Sequence, residues 1–340
     1  MKCRARPQPR IGFQPWACLV LFLAVPGVSA AQSPQQVPVP EPTREVVRPE
    51  SSALLGADAG TGVAPAEEAR RVDAPLAPTK PVEAWPLKIP YVGAWDFVAV
   101  GTLGVATVVL QVTYTPATVP NWTGGILADD WARRVLRLSS PSARAAASSV
   151  SDFLLYGLVV LPFADAWLGA GLTYGRPDVA FRLTLIDAEA LLATTFVTLG
   201  SQHLALRARP FTTLCVHQPT AGECTDGSAQ DTSFPSGHTS IAFTVALLEC
   251  VNHARLDTDH SGWNGAACPV TLAVAGLTGL LRIASDRHYL SDVIVGGLLG
   301  AGIGFGVATL HFALAPTNPT TAVIPVVAPG YAGLALSGGF

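Results

Sequence analysis

Charge is the scarcest commodity in this chain: only 13% of its 340 residues are Asp, Glu, Lys or Arg, about half the share of an ordinary soluble domain. Lysine occurs only at Lys2, Lys80 and Lys88, so every cationic task from residue 89 onward falls to arginine. The formal net charge is -3 and no long basic stripe forms. Without an excess of cations to neutralise a phosphate backbone, nucleic acid is excluded as a partner. With 340 residues a buried core needs no covalent staple, which excludes a miniature disulfide scaffold. What is plentiful is apolar: 49% hydrophobic residues and a mean hydropathy of +0.39 describe a chain that lives in or against lipid.

The first 30 residues read as an export signal. Lys2, Arg4, Arg6 and Arg10 precede an apolar stretch at 16–28, too short to span comfortably, and Val28-Ser29-Ala30 places small residues at a cleavage spacing. Residues 31–90 are rich in Pro, Glu, Gln and Ala with no regular apolar period. Such a segment cannot bury enough surface to offset its ordering entropy, so it is expected to be a disordered, Pro-rich tether. Setting aside Cys3 and Cys18 in the leader, four cysteines remain. In an exported chain Cys215 and Cys224, nine positions apart in a polar loop, are expected to pair.

From 91 to 315 the expectation is an all-α, six-helix, membrane-associated bundle, with helices near 92–113, 148–172, 183–204, 237–254, 267–284 and 290–314. The runs 97–112 and 293–310 contain no charge, as lipid exposure demands. The second is laced with glycine for close helix approach. Asp152, Asp165, Asp187 and Glu189 lie in otherwise apolar segments and must face the bundle interior or an interface. Residues 126–138 alternate apolar and charged positions at helical spacing, predicting an amphipathic surface helix. The tail, 316–340, has the valines, glycines and prolines of a short extended hairpin.

Three short blocks carry chemistry. Arg207-Ala208-Arg209-Pro210 closes a helix, with proline as the stop and cations where a helix C-terminus favours them. Phe234-Pro235-Ser236-Gly237-His238 opens another, so unpaired first-turn amides at a positive dipole end are set to attract an oxyanion. In Arg282-Ile283-Ala284-Ser285-Asp286-Arg287-His288-Tyr289-Leu290-Ser291-Asp292 an arginine precedes a histidine by six and an aspartate follows it by four. On a helix, His288 and Asp292 share a face one turn apart, where the carboxylate can hold the imidazole tautomer.

In order and internal spacing these blocks resemble the signature of the type-2 phosphatidic acid phosphatase and vanadium haloperoxidase superfamily. The resemblance implies a helical bundle with its active site at helix ends, and hydrolysis of a lipid-borne phosphomonoester or pyrophosphate through a phosphohistidine intermediate. It makes His288 the nucleophile, Asp292 its partner and His238 the general acid. Arg209, Arg282, Ser236 and Gly237 become the phosphate-binding groups. No cofactor or metal is implied, vanadate entering only under the alternative of a haloperoxidase. A third reading is a degenerate member kept as a binding or structural module. The sequence departs from the signature twice: Gln202 stands where the family has lysine, and Leu281 where it has serine. Gln202 donates a hydrogen bond but no charge, and Arg207 or His203 are the expected compensators.

Other signals are weaker. Residues 257–262 imitate the first half of a calcium loop, but Cys268 falls where a bidentate Glu is required. Cys250 and Cys268 flank that turn near His253 and His260 in no recognised zinc spacing; a helix–loop–helix corner, with or without a disulfide, is the economical expectation. His311 and Glu249 are expected to be satisfied buried polar residues. Topology is contradictory. Export of 31–90 followed by three spans puts Arg209 in the cytoplasm, whereas a Cys215–Cys224 bond favours the periplasm. The expected resolution is that one Asp-bearing segment does not cross, with the site facing the periplasm from the inner membrane, or that the whole bundle is soluble and periplasmic. The arginines at 133, 134, 137 and 144 argue for a cytoplasmic loop after the first span.

Overall fold

The computed structural model describes residues 89–115, 119–215, 224, 230–256, 262–315, 321–328 and 331–338. The expected signal, nearly all of the tether, and most of the calcium-like turn lie outside the described residues. Eight helices are described rather than six: α1 (Ala94–Thr113), α2 (Asp129–Leu136), α3 (Pro141–Asp165), α4 (Pro177–Ala205), α5 (Thr212–Cys215), α6 (Gly237–Leu256), α7 (Gly262–Ala284) and α8 (Leu290–Ala313). The six long ones correspond to the six expected. The additions are one-turn α5 and the amphipathic α2, whose existence the charge spacing announced. Two strands, β1 (Thr321–Ala328) and β2 (Tyr331–Gly338), pair antiparallel in the tail, Ala328 opposite Tyr331.

Helix α3 starts earlier than the apolar pattern because Ser140 caps it, accepting Ala143 N–H at 3.1 Å, and Pro141 occupies the first turn, where its missing N–H costs nothing. It continues past Asp165 as a π-type segment, Ala166–Thr173. Five helical stretches are long and apolar enough to cross a membrane: α1, α3 with its π extension, α4, residues Trp263–Ala284 of α7, and α8. Both Asp-bearing segments are among them, so length and composition allow both to cross. Their acids turn inward: Asp187 is fully buried. Meanwhile Val105, Val112, Leu298 and Phe305 stand exposed on the outside of α1 and α8, an apolar surface that suits lipid. The protein is a membrane protein.

Helix α6 is the axle. Leu155, Leu158 and Val159 of α3 pack on its Ile241, Ala242, Val245 and Ala246, joined by Ala275 of α7. On its other side α8 lies close because Gly296, Gly300 and Gly304 face the α6 backbone at Ser236, Ser240 and Thr244, where a Cβ has no room. Gly302 and Gly306, on the outer face, meet nothing.

Candidate active site

The three blocks converge at one end of the bundle. The α6 N-terminus is pinned to α8 by Ser236 N–H donating to the Asp292 carbonyl at 3.0 Å, and the turn after α7 folds back as His288 N–H donates to the Arg282 carbonyl at 3.2 Å. Nδ1 of His288 lies 2.7 Å from the Ser233 carbonyl oxygen. A carbonyl only accepts, so Nδ1 carries the proton and the lone pair sits on Nε2. That is the tautomer a nucleophilic imidazole needs.

Asp292 holds this arrangement differently from expectation. Its Oδ2 is 3.8 Å from His288 Nδ1, within electrostatic reach but beyond a hydrogen bond. The carboxylate is already occupied: Oδ2 accepts from Ser233 Oγ at 2.6 Å and from Tyr289 N–H at 2.7 Å, and Oδ1 accepts from Arg207 at 2.5 Å. Because Asp292 is the third residue of α8, it caps the helix start and cannot also bond an imidazole one turn away. It acts through Ser233, whose backbone orients the ring.

Arg207 is correspondingly not a phosphate ligand. Its guanidinium, fully buried, pairs with Asp129 at 2.8 Å and Asp292 at 2.5 Å and is sandwiched between the Trp122 and Tyr289 rings. His203 stacks on Tyr114. Gln202 props the loop, donating to the Pro235 carbonyl at 2.9 Å beside Gly237. None of the three therefore replaces the missing ammonium in this arrangement. Ser285 donates to the Arg282 carbonyl, and Ser236 Oγ accepts from Thr239 at 2.9 Å.

His238 Nε2 lies 2.5 Å from Asp152 Oδ1, and Arg282 Nη1 reaches the same oxygen at 3.1 Å and Ser148 Oγ at 3.2 Å. Nε of Arg282 is buried without a hydrogen-bond partner among the described residues. Arg209 donates to Thr232 at 3.2 Å, and its charge is felt at His288. Burial first, and then the positive charge of Arg282, hold His238 down to about 3 despite the opposing pull of Asp152. Burial likewise holds His288 down to about 4; the Asp292 carboxylate opposes, while Arg209 and Arg282 add to the depression. Two guanidinium groups and two neutral imidazoles thus surround a place that calls for a doubly charged oxyanion.

Asp152 and Ser148, on α3, are the site residues that motif spacing missed. The available signal was a lone carboxylate in an apolar helix, which marked Asp152 as inward-facing but not its partner. Asp286, fully buried with φ of +60°, takes two bonds from Arg133 at 2.7 Å and one contact from Arg137 at 3.0 Å, clamping α2 over the turn. Those arginines brace the site's end of the bundle, and Arg144 donates to the Leu138 and Ser139 carbonyls. They are engaged internally and are weak topological signals. The expected Cys215–Cys224 disulfide is present beside the site, and a second, Cys250–Cys268, joins α6 to α7.

Residues 184–316 match the model of the PAP2 superfamily, a stretch that contains all three blocks. Over 90 residues the chain is 37% identical to a lipid A 1-phosphatase of Porphyromonas gingivalis, covering 26% of this chain and 18% of that protein. Over 77 residues it is 34% identical to a probable diacylglycerol pyrophosphate phosphatase of Schizosaccharomyces pombe, covering 22% and 28% respectively. The chain therefore spans less than a third of either relative. A PAP2-type phosphatidylglycerolphosphate phosphatase structure from Bacillus subtilis aligns with a TM-score of 0.42 at 18% identity, over 65% of this chain and 99% of that one.

Proposed function

From residues 184–316 being a PAP2 superfamily segment, we propose that the protein is a phosphatase that hydrolyses a lipid-borne phosphomonoester or pyrophosphate through a phosphohistidine. The observation that carries this reading is the His288 tautomer, protonated on Nδ1 by its bond to the Ser233 carbonyl, in a site that also gathers His238, Arg209 and Arg282. Nε2 of His288 attacks phosphorus and the P–O bond to the leaving group breaks. His238, which takes up a proton in the complex as the bound phosphate dianion offsets the charge of Arg282, passes that proton to the leaving oxygen and regains one from the water of the second step. Water then attacks the phosphohistidine, returning Nε2 and releasing phosphate. Arg209 and Arg282, with Ser236 and the Gly237 amide at the α6 N-terminus, stabilise the equatorial oxygens. Asp292 stabilises the positive charge on His288 across 3.8 Å. These side chains supply every proton and charge the two steps require, so the scheme invokes no cofactor.

A lipid carrier is supported by the exposed apolar flanks of the bundle and by the lipid phosphates named for both relatives. The protein, purified in detergent, should release phosphate from phosphatidate, an isoprenyl pyrophosphate or a lipid A phosphate. His288→Ala should reduce release by more than about a thousandfold, as loss of a nucleophile does. Undiminished release in that variant would overturn the histidine mechanism. Halide oxidation with added vanadate and no phosphate release would assign the haloperoxidase chemistry instead.

The site is proposed to face the periplasm from the inner membrane, because Cys215–Cys224 lies beside it and needs an oxidising compartment. Thiol labelling of intact and permeabilised cells, with and without reductant, tests this placement: labelling of the Cys215 pair only after permeabilisation of the inner membrane contradicts it.

A further inference from the structure

At the far end of α6 a second group of side chains converges. Nε2 of His253 lies 3.2 Å from Asp165 Oδ2 and 3.2 Å from Glu249 Oε2, and the three atoms lie within 4.8 Å of one another. Asp165 is the last residue of α3, while Glu249 and His253 are one turn apart on α6. Nδ1 of His253 is 2.7 Å from Asn264 Oδ1. An amide oxygen only accepts, so Nδ1 carries a proton, and Nε2 is the ring atom that faces the carboxylates. Trp263 Nε1 donates to Asp165 Oδ1 at 3.1 Å, orienting the carboxylate with Oδ2 toward His253.

Three features separate this group from an ordinary ion-paired histidine. First, neither Glu249 Oε2 nor His253 Nε2, both buried, has a hydrogen-bond partner among the described residues, although they are 3.2 Å apart. The oxygens lie off the direction an N–H would point, as ligand atoms do when they aim at a shared centre rather than at each other. By contrast, in the other described triad, Asp96, Glu189 and His311, both ring nitrogens of His311 are engaged, with the Tyr91 carbonyl at 2.6 Å and Glu189 at 3.2 Å. Second, tetrahedral bonds of about 2.0–2.1 Å place ligand atoms roughly 3.3 Å apart, close to both His253–carboxylate separations. Third, Asp165, Glu249, Asn252 and His253 line a cavity of about 10 Å³, on the order of one water's requirement. Asp187 adds a third carboxyl through Asn252 at 3.5 Å, and His253 is the one base in the cavity lining. Three acids against one imidazole in a buried place call for a compact cation.

We propose that Asp165, Glu249 and His253 form a structural site for a divalent transition-metal ion, Zn²⁺ being the best match to one imidazole and two carboxylates. The ion ties the end of α3 to α6, next to the disulfide that ties α6 to α7. It takes no part in phosphate chemistry, since fifteen residues of helix separate His253 from His238, about 22 Å.

The test uses the full chain purified in detergent, stripped with chelator and titrated with ZnCl₂. One Zn²⁺ per chain and an upward shift in melting temperature are expected. Asn264→Ala, which frees the ring that the ligand histidine presents, should weaken binding about 10- to 100-fold, as loss of an outer partner does; Glu249→Gln and His253→Ala should weaken it further. Co²⁺ loaded into the unmodified protein should give the visible spectrum of a tetrahedral N/O site, a readout independent of whether any variant folds. Failure of the unmodified protein to bind Zn²⁺ at 100-fold molar excess, or unchanged binding in the folded Asn264 and His253 variants, would overturn the proposal.

Discussion

Asp152 and His238 are in direct contact across the α3–α6 interface, Oδ1 to Nε2 at 2.5 Å, and the same oxygen accepts from Arg282 at 3.1 Å. A carboxylate at that point does two things. It pulls the His238 imidazole toward its protonated form, against burial and against Arg282, and it holds the Arg282 guanidinium in place. For His238 as the proposed general acid, that carboxylate is the counterweight to burial and to Arg282.

Asp152→Asn is therefore expected to make His238 still harder to protonate. General acid catalysis contributes about 10²–10⁴ in rate, and kcat for phosphate release should fall by about tenfold or more. The basic limb of the kcat profile should move to lower pH. A profile that stays in place while only KM changes would show that Asp152 merely positions Arg282.

His288 is held down to about 4, so above that pH its Nε2 is unprotonated and nucleophilic. Activity per free enzyme, read as kcat/KM, should drop below about pH 4 as the ring gains its proton. Removing a positive neighbour by Arg209→Ala raises the His288 value. The acid limb should then move to higher pH, in addition to any loss in rate, and pH–rate profiles of the two proteins check the sign.

Gln202 bonds a loop carbonyl beside Gly237 and carries no charge. Gln202→Lys supplies an ammonium where the signature has one. A charge-assisted contact of about 1.5 kcal/mol or more should tighten inhibition by orthovanadate about tenfold. An unchanged inhibition constant would mean that the loop, not charge, is what this position serves.

Arg207 is fully buried between Asp129 and Asp292. Arg207→Met leaves two buried carboxylates without their cation, a change that costs about 3–5 kcal/mol. Loss of folded protein in a thermal melt in detergent, with activity lost alongside, is the expected outcome.

Gly300 faces the Ser240 backbone and Gly302 faces open space. Gly300→Ala should force α8 off α6 and destabilise by about 1–3 kcal/mol, as overpacking does. Gly302→Ala on the same helix should be nearly neutral. Comparison of their melting temperatures isolates the close approach from helix propensity.

Much of this was legible along the chain. Six long apolar helices, the amphipathic segment around α2, the pairing of Cys215 with Cys224 and the extended tail all follow from local periodicity and composition. The three motif blocks are local too: Pro235 to His238 start α6, and His288 and Asp292 straddle the start of α8, so their proximity to one another within a block needs only helix geometry. What spacing could not decide is which partner a polar group takes. Asp292 and His288 sit at the right interval for a hydrogen bond, yet Ser233, from 55 residues earlier, stands between them. Arg207 and Arg209 are two residues apart, and one is spent on Asp129 and Asp292 while the other lies near His288. Asp152 and Asp165 lie thirteen residues apart on one helix, α3, and meet opposite ends of α6. A side chain's periodicity tells which way it points relative to its own helix. Only the packing of α3, α6, α7 and α8 against one another tells what it meets, because a buried charge is satisfied by whichever group the neighbouring helix happens to present.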